Sequence, residues 1–310
     1  MLASLADEHG LLLRGRVLDA GFTDDAITRV IRRGELVRIR HGAYALAEVW
    51  SGLAPVERHL LRARAVRLRY GPHIALSHVS AHLLRGGSSW QLPLDGVHIT
   101  HLDGRIGRRQ AGVVHHGGCC RVGDLTRDEL GWITTPARTA LEVASRLPRD
   151  PAVALIDWYL QQGLASHEEM KAVFDSMTTW PGTLALQVSL RLADGLAESV
   201  AETLFRLLCH DAQLPRPTAQ FEIRDGRRFV ARVDFAWPKH KVIVEIDGEE
   251  KYHRFRRPGE SIEAMVVREK RREDDVREVT GWIVIRLTWA DLQNPARTVA
   301  RLRRAFAKAA

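Results

Sequence analysis

Apolar positions fall at helical spacing through residues 2–9 (Leu2, Leu5, Ala6), break at Gly10, and resume as a second helical stretch through residues 11–20, which Gly21 ends. The signals sharpen in residues 21–34. Thr23 is a good N-cap, Asp24 and Asp25 suit the positive end of a helix, and Phe22 with Ile27 has the spacing of a hydrophobic staple. Ile27, Val30 and Ile31 form the stripe to bury, which turns Thr28, Arg29, Arg32 and Arg33 toward solvent. The period then changes to two over residues 35–46. Val37 and Ile39 lie on one face and Leu36, Arg38 and Arg40 on the other; the chain turns at His41-Gly42 and returns through Ala43, Tyr44 and Ala45. Three helices and a hairpin predict a winged helix over residues 1–50. Arg29, Arg32 and Arg33 would enter or flank a major groove, with Arg38 and Arg40 on phosphates or in the minor groove. The alternative is a winged helix used for protein contacts only.

Residues 55–69 read as a helix that buries Leu60, Leu61, Ala65 and Leu68. Its arginines, Arg58, Arg62, Arg64, Arg67 and Arg69, would either line a phosphate backbone or form a solvated face. Residues 75–84 read as helical, and residues 95–122 hold short strands (VHIT, GVVHH) between Gly-rich turns. TPARTALEVA opens a helix with Pro136 at its first position, and amphipathic stretches follow through Trp158, Phe174 and Leu190. Residues 51–194 are thus a mixed α/β region. A helix is predicted from Gly195, burying Ala197, Val200, Ala201, Leu204, Leu207 and Leu208, with Glu198 and Glu202 on one flank. RRFVARVDFAWPKHKVIVEIDGEEKYH then reads as a hairpin turning at residues 237–240. A charged helix ends at Gly281, and the nearly continuous apolar run of residues 282–287 reads as a central strand. The fold class is α/β (α+β multidomain), with a third domain at residues 195–310 built on a mixed central sheet.

Composition narrows the setting. The chain has 310 residues and a formal charge of +8. No apolar run approaches the roughly 18 residues of a membrane span, and the N-terminus lacks a signal-peptide pattern, so a soluble cytoplasmic protein is expected. Cys119, Cys120 and Cys209 are an odd set with an adjacent pair, unlike a secreted disulfide framework. The basic residues are 40 arginines and 6 lysines. Arginine suits bidentate phosphate recognition, although a GC-rich genome also enriches it. Residues 51–118 carry +6 and residues 197–310 carry +5, whereas residues 1–50 are neutral. The histidines show no zinc-finger spacing and no His-Glu-x-x-His pattern: His78 and His82 are four apart, and His115 and His116 lie near Cys119 and Cys120. They read as buried or surface residues, with His78 hydrogen-bonded inside its domain.

RRGELVRIRHGAYAL, with ALSHVSAHLL and TTPARTALEVA further on, resembles the AbiEi-type antitoxins over roughly the first 190 residues. That resemblance implies DNA binding and repression of the protein's own operon, with a nucleotidyltransferase-like toxin as the usual partner.

The last third carries acids in an apolar sheet. Val242, Val244 and Ile246 share one face of a strand, while Ile243, Glu245 and Asp247 share the other, and Asp234 lies on the antiparallel partner. Buried carboxylates are costly unless compensated, and a divalent cation, Mg2+ or Mn2+, is the natural compensator. Asp234, ten intervening residues and Glu245-x-Asp247 resemble the core of the PD-(D/E)XK nucleases, and the run through GW-VIRLTWADL resembles their very-short-patch-repair-like branch over about residues 196–292. The resemblance implies Glu202 as the helical acid and Asp234 and Glu245 as metal ligands. Asp247 stands where that superfamily usually has lysine. The branch pattern Glu-x-Asp-Gly followed by histidine is met by Asp247, Gly248 and His253, and Lys270 on the following helix is the candidate displaced cation. Two readings follow: a winged helix delivering a metal-dependent DNA endonuclease in repair or defence, or an antitoxin-like repressor whose nuclease fold has become a scaffold.

Overall fold

In the computed structural model, which describes residues 2–105, 107–118, 120–178, 180, 182–247 and 261–309, the leucines that open the second predicted helix form a strand instead. Strand β1 (Leu11–Leu13) precedes helices α1 (Arg14–Asp19) and α2 (Asp24–Arg32) and the hairpin β2 (Leu36–Arg40) and β3 (Ala43–Leu46). The sheet order is β1-β3-β2, with Leu11 opposite Ala45 and Leu13 opposite Ala43. Pairing with a distant strand overrides the local helical spacing. The predicted helix over residues 2–9 shrinks to a single 3-10 turn, Leu2–Leu5, and the Asp7 carboxylate then accepts the N–H groups of His9 and Leu11. Helix α2 starts as expected, with Thr23 Oγ1 accepting from Ala26 N and Arg14 clasping Asp24 at 2.5 and 2.7 Å. Leu12, Val17, Ile27, Leu36 and Tyr44 close this small core.

After α3 (Ala47–Gly52), helix α4 (Pro55–Tyr70) packs on two sheets at once. Leu61 and Ala65 meet Leu11, Ala43 and Ala45 of the wing sheet. Ala63 and Val66 meet the next sheet, at Ile74, Leu76, Val97 and Ile99. Most of the α4 arginines serve this packing rather than a phosphate backbone. Arg67 is buried against Asp128, Arg64 pairs with Asp7 at 2.9 Å, and Arg58 and Arg62 lie over the Trp50 ring.

That second sheet holds β4 (Ile74–Leu76), β5 (Val97–His101), β6 (Arg108–Gln110), β7 (Val113–His116), β8 (Leu125–Asp128) and β9 (Gly131–Thr134), in the order β6-β7-β5-β4-β9-β8. The helical reading of residues 75–84 splits here into β4 and helix α5 (His78–Leu84). Helix α6 (Pro136–Ala144) begins at the predicted proline and is buried along its whole length. Helices α7 (Arg149–Gln161), α8 (His167–Ser176) and α9 (Thr183–Leu192) follow. Contacts divide the chain into two units, Met1–Leu155 with Leu164–Leu186, and Ile156–Gly163 with Gln187–Ala310.

The second unit contains α10 (Val200–Asp211), β10 (Thr218–Asp225), β11 (Arg228–Trp237), β12 (Val242–Asp247), α11 (Ile262–Thr280), β13 (Ile283–Thr288), α12 (Trp289–Leu292) and α13 (Pro295–Ala309). Its sheet is mixed, in the order β10-β11-β12-β13, and only β12 and β13 are parallel. Phe205, Phe235, Trp237, Val244, Ile285 and Leu302 fill one side of the sheet, and Val276 of α11 with Ala231, Val233 and Ile243 fills the other. Among the described residues the apolar run after Gly281 is therefore an edge strand, not a central one. Ile283, Ile285 and Leu287 pack into one core and Trp282 and Val284 against the other, while Arg286 and Thr288 are exposed.

Asp157 anchors this unit. It is 1% exposed, and its carboxylate accepts from Asp194 N, Gly195 N, Thr203 Oγ1 and Arg206 Nη2 at 2.6–3.0 Å. Gly195 approaches so closely that a Cβ there would fall 2.6 Å from Leu160 Cβ. Truncating one partner of a buried ion pair leaves the other uncompensated. Asp157→Ala should thus lower the unfolding free energy by about 3–5 kcal/mol in urea titrations; a loss below about 1 kcal/mol would contradict this account.

Candidate nucleic-acid interface and acidic site

Burying Ile27 against the wing core fixes the rotation of α2. Thr28, Arg29, Arg32 and Arg33 are consequently exposed on its far side, and Arg38 is exposed on the wing. Thr28 Oγ1 donates to Asp24 O, and Arg29 Nε reaches Asp25 O only at 3.4 Å. Arg33 lies 3.9 Å from Glu35, a solvent-screened contact. Arg38 touches His41 Nδ1 at 3.0 Å across the wing turn. Arg40 departs from the predicted face. The register shifts between Arg38 and Arg40, and the Arg40 guanidinium lies over the Tyr70 ring, 5.9 Å from its centroid, with Nε and Nη1 shut off from solvent. The bulge re-aims that side chain inward, so the exposed basic set is Arg29, Arg32, Arg33 and Arg38.

In the second unit the predicted acids are linked across the sheet. The β11–β12 ladder runs from Trp237–Val242 to Phe235–Val244 and stops. Beyond it Asp234 Oδ2 accepts from Ile246 N at 2.7 Å, so a side chain takes the place of the next strand contact beside Glu245. On the other side, the Ala219–Phe235 and Phe221–Val233 pairs place Gln220 opposite Asp234. Gln220 has a φ of +49°, rare for a residue with a side chain, and its Nε2 donates to Glu202 Oε2 at 2.9 Å. Sequence reasoning passed over Gln220, because nothing in its neighbours announces a positive φ.

Glu202 is 2% exposed and closes the start of α10. It accepts from Glu198 N and Ser199 Oγ, while its own N–H donates to Ser199 Oγ. The prediction of a helix beginning at Gly195 missed this cap, although Ser199-x-x-Glu202 is a capping-box signature. Glu245 and Asp247 share the half-buried face as predicted. Arg272 of α11 reaches Glu245, with Nη2 3.3 Å from Oε1, while its Nη1 donates to Arg232 O. Lys270 is exposed on the same helix. The arginines that might have paired with the acids are engaged elsewhere: Arg232 meets Glu198 at 2.6 Å and Arg286 meets Glu273 at 2.5 Å. His253 lies outside the described residues. Two adjacent half-buried carboxylates, Asp234 and Glu245, are oxygen donors of the kind Mg2+ or Mn2+ accepts.

The histidines of the first unit are brought together by strands distant in sequence. His78, His98 and His116 offer ring nitrogens within 4.8 Å of one another, whereas His82 turns away to bond Ser88 O. His101 and His115 pair separately at 2.8 Å.

The order β1-α1-α2-β2-β3, with its exposed arginine face, falls within residues 1–47, which match a family model described as "Transcriptional regulator, AbiEi antitoxin". Over 277 residues the chain is 30% identical to two uncharacterized proteins of Mycobacterium tuberculosis, MT2308 of strain CDC 1551 / Oshkosh and Rv2248 of strain ATCC 25618 / H37Rv, covering 88% of this chain and 93% of each relative. The chain belongs to the family of these mycobacterial proteins. Among the described residues no helix is long and apolar enough to cross a membrane.

Glu202→Ala would remove the acceptor for Glu198 N and Gln220 Nε2 at a buried helix start. It should lower stability by about 1–3 kcal/mol in chemical denaturation, and an unchanged midpoint would rule out the capping role.

Proposed function

We propose that this chain is a DNA-binding transcriptional regulator of the antitoxin type, with α2 and the wing as its DNA-contacting surface. The observation that carries the reading is the exposed arginine set. Arg29, Arg32 and Arg33 lie on the face of α2 opposite its buried stripe, Arg38 lies on the wing, and these residues fall within the segment that matches an antitoxin regulator model. A helix in the major groove with wing contacts to phosphate is the usual docking of such modules. An antitoxin-type regulator also has a cognate toxin as a partner. The double variant Arg29→Ala/Arg32→Ala should lose retention of the promoter fragment upstream of its own gene in a gel-shift assay. Each phosphate contact removed should reduce the log–log salt slope by about one. Retention equal to that of wild type would overturn the assignment.

A second reading, metal-dependent DNA endonuclease, is supported by one specific observation: Glu202, Gln220, Asp234 and Glu245 are linked in sequence across neighbouring elements of a mixed sheet. In that reading Asp234 and Glu245 hold Mg2+ or Mn2+, which would supply an activated water for phosphodiester hydrolysis. Glu202 and Gln220 would flank Asp234, which the Ile246 N–H holds, and Arg272 would screen Glu245 or bind the phosphate. Purified protein with Mg2+ or Mn2+ should then nick duplex, mismatched or branched DNA, and Asp234→Ala and Glu245→Ala should abolish cleavage while leaving promoter retention intact. Protein inert on all these substrates leaves the regulator reading alone.

A further inference from the structure

We propose that His78, His98 and His116 form a binding site for a divalent transition metal, Zn2+ foremost, within the six-stranded sheet of the first unit. His98 and His116 stand on the adjacent parallel strands β5 and β7, and His78 opens helix α5, which is tied to β5 by His98 N donating to Ser80 Oγ at 2.8 Å. His98 Nδ1 and His116 Nε2 face each other at 2.9 Å, and the His78 ring stacks on that of His116 with centroids 3.5 Å apart. Two nitrogens bound to one tetrahedral Zn2+ stand about 3.4 Å apart, given Zn–N bonds of about 2.0–2.1 Å. The 2.9 Å pair opens by about 0.5 Å, and the His78 ring turns out of its stack on His116, for the three lone pairs to converge. On metal binding, the proton shared between His98 and His116 moves to the far nitrogen of its own ring, a change of tautomer that leaves both imidazoles neutral.

The surroundings of His78 are those of a metal ligand. Its Nδ1 lies 3.0 Å from Ser77 Oγ and 3.4 Å from Glu142 Oε2, which occupies that nitrogen and leaves Nε2 as the ligating atom. A carboxylate behind the outer nitrogen fixes tautomer and ring orientation in histidine–metal sites. The same Glu142 oxygen accepts His78 N at 3.0 Å and so holds the residue at a φ of +50°, a conformation that side-chain-bearing residues rarely adopt. Burial keeps all three imidazoles in the lone-pair form that ligates metal: His98 is lowered to about 4, His116 to about 3 and His78 well below its ordinary value. Three neutral imidazoles with an open fourth position match a borderline divalent cation better than Mg2+ or Ca2+, which prefer oxygen.

The test uses the full chain, stripped with a chelator and kept in excess Mg2+ so that carboxylate sites are occupied. Zn2+ titrated against a chromophoric chelator should bind with one equivalent per chain and raise the melting temperature. His98→Asn and His116→Asn should each weaken binding beyond the roughly 10–100-fold expected for loss of an outer partner, and Glu142→Gln should fall within that range. The exposed His210→Asn should bind as wild type does. X-ray absorption of the Zn2+-loaded wild-type protein should show imidazole scattering from three ligands, which decides the matter even where a variant fails to fold. No uptake by the wild type, uptake that survives both ligand substitutions, or a spectrum without imidazole would overturn the site.

Discussion

Glu142 has lost contact with solvent, and burial pushes its carboxyl above the usual range, so the first unit depends on how fully that group is satisfied. Arg138 supplies the countercharge through Nε at 2.9 Å and donates Nη1 to Asp124 Oδ2 at 2.8 Å, while the Trp180 ring covers the guanidinium at 4.5 Å. Thr134 Oγ1 and His78 N take the second oxygen. One carboxylate thereby joins β9, α5 and α6, and the 3-10 turn at Val122–Asp124 is drawn in through Asp124. Breaking the Glu142–Arg138 pair would strand a charge rather than simply lose a bond, because a buried ion left without its partner carries its full desolvation cost. The position of His78 follows from this network, and so does the histidine trio.

The same constraint explains where the arginines go. Counted along the sequence, the +6 block of residues 51–118 reads like a nucleic-acid footprint. In three dimensions most of the α4 arginines are consumed by packing, on carboxylates or on the Trp50 ring. The neutral N-terminal module, by contrast, keeps four arginines exposed on one helix and its wing. Net charge by segment is thus a poor guide to a binding face, because burial can neutralise a basic helix within the fold. Helix phase is a better one, since a single buried residue, Ile27, sets which side chains face outward.

What was legible in the sequence was local. The Thr23 cap, the turn at His41-Gly42, the proline start of α6 and the alternating faces of β12 each rest on neighbours within a few positions. The misses depend on distant partners. Leu11–Leu13 is helical in spacing but is recruited as a strand by residues 43–45, and the run after Gly281 looks central because it is apolar on both faces, yet among the described residues it is the last strand of its sheet. Among the candidate site residues, Asp234 and Glu245 were readable because strand alternation and a short turn place them together. Arg272 rather than Lys270 reaches Glu245, a choice set by the rotation of α11 around Val276. His98 was invisible as a partner of His78 and His116, because the sheet order that unites them is not written in any local spacing.

Carboxylates of this chain are held in two different ways. Asp157 and Glu142 are surrounded by N–H and O–H donors, which leaves them fixed and structural. Glu245 instead meets its cation at 3.3 Å, from a side chain that is itself 30% exposed, a looser pairing than the 2.6 Å contact between Arg206 and Asp157. A long, partly solvated ion pair gains little, so the Arg272–Glu245 contact itself could be displaced by a divalent ion on Glu245 at modest cost. The Asp157 pair could not be displaced in that way without unfolding the elements it joins. The exchangeable contact thus lies on the inner strands β11 and β12, while the Asp157 carboxylate holds the frame of the same unit.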